Sequence, residues 1–196
     1  MEKLIFLARV GESCSLTTAC RVALGRALQV ERAGEGQILQ SERGGRLRLL
    51  VEGIARVFVG EGDAAQATAY FARPDEYVLT EPRAAGQPEL HTEAITGVTA
   101  VGLSLERLDA LTAEYPELVG FACAYLTQVG MRRREARALQ SRGAGAERAL
   151  EVYDEFLRAY PGLETQVPTA YLASYLGLST REYMRVREQY RQRGVM

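Results

Sequence analysis

The sequence predicts an α+β fold in which a β-rich N-terminal half is followed by helices alone. Three observations predict it. Between Val30 and Leu103 glycine recurs at 34, 36, 44, 45, 53, 60, 62, 86, 97 and 102 and separates short runs of strand-forming residues, the texture of strands joined by tight turns. On either side of that region apolar positions recur at three- and four-residue steps, the mark of helices with one buried face. From Met131 onward 12 arginines stand against 8 acidic residues in a chain whose net charge is −1. The basic surplus therefore sits at one end, as in a protein that meets a polyanion with that end only.

The 196 residues, 47% hydrophobic and 25% charged, describe a globular chain with room for one large domain or two small ones. The opening MEKLIFLARVGES carries one Lys3 and an apolar stretch from Leu4 to Val10 only. That is too short for a secretory signal, and no run approaches a membrane span, so a cytoplasmic protein without a membrane partner is expected. From Ser13 to Leu28 the positions Leu16, Ala19, Cys20, Ala23, Leu24, Ala27 and Leu28 form one helical stripe. Strands are expected at Gln37–Gln40, Arg46–Val51, Ile54–Val59, Thr68–Phe71 and Thr99–Leu103, and several short antiparallel strands suggest a small roll or barrel. Leu47, Leu49 and Val51 alternate with Arg48 and Leu50, which predicts one core-facing side and one mixed side.

Ser104 is placed to cap a short helix over Leu105–Ala113. Pro116 opens a long one reaching about Gln140, with Leu118, Phe121, Ala122, Tyr125, Leu126, Val129 and Arg133 along one seam. A helix of that length spans about 36 Å, more than a domain of this size covers with its own surface. The seam is therefore expected to be shared with a second copy of the chain; packing on its own β-domain is the alternative. Ser141-Arg142-Gly143-Ala144-Gly145 marks the best domain boundary, and three helices follow at Ala146–Ala159, Pro168–Tyr175 and Thr180–Arg191.

Catalytic chemistry finds little support. Cys14, Cys20 and Cys123 have no metal-ligand spacing and read as small buried hydrophobes. His91 is the one histidine, and the chain has no phosphate-binding glycine loop with lysine, no HExxH and no nucleophile elbow. No enzyme activity and no cofactor are expected.

The most informative stretch runs from Val167 to Arg187. Leu172, Ala173 and Leu176 form an inner face, Gly177 supplies a turn, and Leu178 plugs between two helices. Ser179 caps the second helix with Glu182 in the reciprocal position of a capping box. Tyr183 and Val186 face inward, which leaves Thr180, Arg181, Met184, Arg185 and Arg187 on exposed sides, with Arg191 further along. This is the pattern of a helix-turn-helix whose second helix enters a major groove; a helical hairpin in a non-binding domain shares it.

The segments Ala146–Leu150, Phe156–Pro161, Gln166–Pro168, Leu172–Ser179 and Arg185–Arg187 resemble the C-terminal half of the CRP/FNR family of transcription regulators. The resemblance extends through Glu52–Phe58, Gly86–Pro88 and Tyr115–Leu118, nearly the whole chain. It implies a β-roll of the cyclic-nucleotide-binding type with flanking helices over 1–115, a dimerisation helix over 116–142 and a winged-helix-like DNA-binding domain over 143–196. The dimer helix would use Leu118, Phe121, Ala122, Tyr125 and Val129; DNA would meet Thr180, Arg181, Arg185, Arg187 and Arg191. The implied partners are double-stranded DNA, a second copy of the chain, RNA polymerase and an effector of unassigned chemistry.

Two departures qualify what the resemblance implies. Pro88 stands where an arginine holds the cyclic phosphate in nucleotide-responsive members, with Arg83 too early to replace it, and three cysteines do not make an iron–sulfur cluster. No response to cyclic AMP is expected. In the second helix Glu182 replaces a hydroxyl residue and Met184 a small one. The function implied is that of a homodimeric, sequence-specific DNA-binding regulator; the alternative is a degenerate member that serves as a protein-interaction module.

Overall fold

The computed structural model describes residues 1–39, 45–60, 66–80, 90–142 and 146–193, with side chains for all of these except 136–142 and 146–148. Two helices lead, α1 (Glu2–Ser13) and α2 (Thr18–Ala27). Eight strands follow among the described residues: β1 (Gln29–Ala33), β2 (Ile38–Leu39), β3 (Arg46–Glu52), β4 (Ala55–Val59), β5 (Ala67–Ala72), β6 (Tyr77–Thr80), β7 (Leu90–Ala94) and β8 (Val98–Ser104). Then come α3 (Leu105–Glu114), the long α4 (Leu118–Arg142), α5 (Ala146–Ala159), a 3-10 turn at Leu163–Thr165, α6 (Thr169–Tyr175) and α7 (Thr180–Gln192). Among the described residues no helix is long and apolar enough to cross a membrane.

The strands form two four-stranded sheets, ordered β1-β8-β3-β6 and β2-β7-β4-β5, with every pairing antiparallel. This is the expected roll. It folds tightly where Gly53 turns β3 into β4 at φ +83°; a Cβ there would strike the carbonyl of Gly97 in the β7–β8 turn. Three strands, β1, β6 and β7, were not legible as strands, because Gln-Val-Glu-Arg-Ala and Leu-His-Thr-Glu-Ala are only weakly apolar and Tyr77–Thr80 is short.

The first helical region departs from expectation. The stripe over Ser13–Leu28 is not one helix: Ser13 ends α1, and α2 begins after Thr17, whose hydroxyl accepts from the Cys20 N–H at 3.2 Å. α1 itself, in a stretch whose sequence carries no helix signal beyond a short apolar run, contributes Phe6, Leu7 and Val10 to the core. Of the cysteines only Cys20 is buried; Cys14 is half-buried and Cys123 exposed. On β3 both faces are covered, so Arg46 and Arg48 are buried together with Leu47 and Leu49. Glu31 on β1 compensates both, 2.7 Å from Arg46 Nε and 3.1 Å from Arg48 Nε.

α4 starts at Leu118; Pro116 and Glu117 sit in the preceding turn. Its seam is not held in reserve for another subunit. Leu118, Phe121, Tyr125 and Val129 are buried within their own chain, with Ala122 packed against the same cluster. Phe121 meets Phe6 edge-on at 5.8 Å and Tyr77 at 5.8 Å, and lies 5.4 Å from Tyr125. Arg133 donates to the Leu79 carbonyl at 3.1 Å. The α1 helix, invisible to the periodicity argument, is the partner that satisfies the seam. Leu126, counted with it, is 50% exposed and points the other way.

Phe121→Ala is expected to lower the folding stability of the chain by about 3–5 kcal/mol, as loss of a fully buried ring does. Measured at concentrations low enough for the monomer, Leu126→Ala should change it by no more than about 0.5 kcal/mol. Urea denaturation followed by circular dichroism checks both; equal effects would contradict the orientation of α4.

Candidate nucleic-acid interface

α6, a four-residue turn (Leu176–Ser179) and α7 form the expected helix-turn-helix. Leu172 and Ala173 on α6 and Leu176 after it are buried. Gly177 adopts φ +68°, a conformation glycine takes without strain. The Leu178 N–H returns to the Ala173 carbonyl at 2.9 Å, and the Leu178 side chain packs partly buried on the core. Pro168 sits at the cap position ahead of α6, not inside it. The capping box is complete: the Glu182 N–H donates to Ser179 Oγ at 3.2 Å, while the Ser179 N–H and Oγ–H donate to Glu182 Oε2 at 2.8 and 2.6 Å. The Ser179 hydroxyl first, then its backbone N–H, holds the Glu182 carboxyl below the usual carboxylate range, and Arg185 adds to this.

The inner side of α7 is held by two carboxylates. Tyr183 and Tyr153 on α5 donate to Glu164 Oε1 at 3.1 and 2.6 Å. Arg187 Nε lies 2.8 Å from the same oxygen, an ion pair off the line of a hydrogen bond. Tyr190 donates to Asp154 Oδ1 at 2.6 Å, and Arg158 pairs with the same side chain. Burial raises the Tyr153 and Tyr183 phenols, and Glu164 raises them further, so both remain donors at any ordinary pH. Glu164 was not legible as a functional residue, because its partners come from two separate elements, α5 and α7.

The outer side differs from the sequence expectation in two respects. Thr180, Arg181, Arg185 and Arg191 are exposed as expected, and the three arginines form no salt bridge among the described residues. Arg187, expected to hold nucleic-acid backbone, is half-buried and engaged by Glu164. Glu188 is exposed and stands with Arg181, Met184 and Arg185 at i, i+3, i+4 and i+7, so the outward face is mixed in charge. Met184 is 48% exposed. Among the described residues no strand follows α5 and none precedes α6, only the 3-10 turn, so no wing flanks the motif there.

The β-roll offers no metal site: among the described residues no group of three His, Cys, Asp or Glu side chains could hold an ion. Gly86, Gln87, Pro88 and Arg83 lie outside the described residues. On α4 the outward face carries Val119 (49% exposed), Leu126 and Met131, with Cys123 and Gly130 completing a four-three-four spacing from Val119.

No protein-family model and no curated protein matches the sequence. Solved structures do match. FixK2 from Bradyrhizobium japonicum aligns with a TM-score of 0.68 at 15% identity over 86% of each chain. A putative transcriptional regulator of the CRP/FNR family from Eubacterium rectale aligns at 0.69 and 15%, over 92% of this chain and 86% of that one. The c-di-GMP-responsive global regulator CLP of Xanthomonas campestris aligns at 0.67 and 16%, over 91% and 94%. The chain thus has the fold of the CRP/FNR transcription regulators across nearly its full length.

Because the folded-state pKa of Glu182 is lowered, its support of the cap is complete above the unfolded value of about 4.5 and is lost as pH falls through the folded value. The stability difference between wild type and Glu182→Ala is expected to be constant near neutral pH and to shrink below about 4.5. Denaturation midpoints measured from pH 3 to 7 (about one-unit steps suffice) check this; a difference that grows on acidification would contradict the cap.

Proposed function

We propose that this chain is a homodimeric, sequence-specific DNA-binding transcription regulator. The observation that carries the reading is the free face of α7: Arg181, Met184, Arg185 and Glu188 on one side of a rigidly held helix that follows a capped turn. The fold shared with transcription regulators supports it. On this reading Arg185 reads guanine O6 and N7 with two hydrogen bonds, and Glu188 can accept from a cytosine amino group. Met184 meets a thymine methyl, Arg181 contacts a base or phosphate near the helix start, and Thr180 and Arg191 hold the backbone. Arg187 acts through Glu164 as a support of the helix instead of touching DNA.

The second copy is met by the outward stripe of α4, Val119, Cys123, Leu126 and Gly130, flanked by Met131, and not by the seam of Leu118, Phe121, Tyr125 and Val129. The stripe has the 3.5-residue spacing of a two-helix seam, and small residues at two of its positions allow close approach. Such a dimer presents two α7 helices to a two-fold symmetric site.

Random-site selection followed by fluorescence titration tests the function. Arg185→Ala is expected to cost about 1–3 kcal/mol and relax preference at one base pair per half-site. Arg191→Ala should weaken all sequences alike and lower the salt slope by about one unit. Binding that is salt-labile, without preference and indifferent to Arg185 beyond its charge would replace this reading with that of a protein-interaction module.

Light scattering is expected to give twice the 21.6 kDa chain mass. Leu126→Asp should return it to the monomer mass while leaving the fold intact. A monomeric wild type would sink the dimer.

A further inference from the structure

Arg56 on β4 is only 1% exposed, and its neighbours come from both halves of the chain. From the roll, Thr68 Oγ1 accepts from Nε at 2.8 Å, Gln66 Oε1 and Glu93 Oε2 accept from Nη1 at 3.2 and 3.3 Å, and the Gln66 carbonyl accepts from Nη2 at 3.0 Å. From the helix-turn-helix, the ring of Tyr171 on α6 lies over the guanidinium, with its centroid 3.8 Å from Cζ. The Tyr171 hydroxyl donates to Glu93 Oε1 at 3.0 Å. Cation, carboxylate and phenol thus close a triangle across the boundary.

Backbone groups extend the contact. The Thr68 N–H donates to Ser174 Oγ at 3.0 Å, Ser174 Oγ–H donates to the Gln66 carbonyl at 3.1 Å, and Thr68 Oγ1 donates to the Tyr171 carbonyl at 3.3 Å. An apolar patch alone would hold α6 while letting it slide. A planar fork on β4 with its acceptors fixed at the start of β5 and on β7 accepts one register. Since α7 follows α6 after a four-residue turn, whatever fixes α6 fixes α7.

We propose that Arg56 is a positioning residue for DNA recognition: from the roll it fixes α6, and through it α7, and so sets the half-site separation that the dimer accepts. The inference rests on the reading of the chain as a DNA-binding dimer. The covalent path from α4 into α5 and the apolar core shared with the roll keep the recognition helix attached, and the Arg56 contact adds the directional bonds. Without those bonds the attachment can slide; with them the separation is fixed. One inserted base pair moves a half-site by about 3.4 Å and about 34° around the duplex, so a fixed pair of helices discriminates it sharply.

The test compares full-length wild type, Arg56→Leu and Tyr171→Phe, the last keeping the ring and losing its bond to Glu93. Each is titrated on the selected operator and on versions lengthened or shortened by one or two base pairs. Hydrogen exchange is followed over residues 66–72 and 169–175. Wild type is expected to prefer one separation by about tenfold or more. In both variants that preference should flatten while base preference within a half-site is retained, and exchange in both segments should quicken by about tenfold. A folded variant that keeps the separation preference, or shows unchanged exchange, overturns the proposal. Should Arg56→Leu fail to fold, Tyr171→Phe decides by the same criteria. A wild type without sequence preference would refute the DNA-binding reading, and with it the positioning role. Exchange alone then judges whether Arg56 ties the two halves.

Discussion

A two-sheet roll of short strands has two outer faces, and neither can be left to water. The first sheet is covered by α1, α2, α3 and α4, which close over Leu47, Leu49, Val101 and Leu103. The second is covered by the C-terminal helices, whose Phe156, Tyr160 and Tyr175 gather around Phe71 on β5. The stretch from 146 to 193 is near the size at which a core seldom suffices by itself. Sharing a core with β4, β5 and β7 removes that difficulty, and it makes the helix-turn-helix a layer of the molecule.

Covering both faces of a strand also decides where charge is buried. A side chain leaving β3 over Arg46–Leu50 or β4 over Ala55–Phe58 cannot reach water in either direction, so Arg46, Arg48 and Arg56 are enclosed and each needs a carboxylate beside it. For Arg56, burial pulls the guanidinium down from its ordinary range and Glu93 opposes this. Such pairs add little net stability against an apolar trio of the same size. Their directional bonds give registration, and both occur where one element must sit in one way on another.

The helix-turn-helix was legible because every part of it is local. A positive-φ glycine, a serine–glutamate box and apolar steps of three and four residues lie within two turns of one another, and the structure reproduces each. The orientation of α4 was not legible, because its sequence carries two stripes: Leu118, Phe121, Tyr125 and Val129 on one side, Val119, Cys123, Leu126 and Gly130 on the other. Periodicity finds a stripe without saying what it meets. Which one turns inward is decided by α1, whose Phe6 is brought against Phe121 from more than a hundred residues away. The buried arginines were missed for the same reason: alternation within β3 is visible in sequence, but the second covering layer is not.

Arg187 shows how this distance effect reshapes the candidate site itself. Read along α7 alone, it is one more cation for a polyanion; in the structure Glu164 takes it, together with Tyr153 and Tyr183. On the proposed reading one phosphate contact is given up, and with it about one unit of salt dependence. In exchange, α7 is pinned along its inner side at Tyr183, Arg187 and Tyr190, one turn after another. Two-bond recognition of a base edge tolerates misplacement of only about 0.5 Å. A helix held at three successive turns, with its first turn closed by a capping box, meets that demand better than a more basic helix free to rock. The acidic Glu182 fits the same account, because its charge lies at the helix N-terminus, where the backbone dipole favours it, and is engaged by Ser179. On the proposed reading its cost to a nearby phosphate is correspondingly reduced, and the mixed charge of α7 suits a helix that selects bases through Arg185 while relying less on the backbone for its hold.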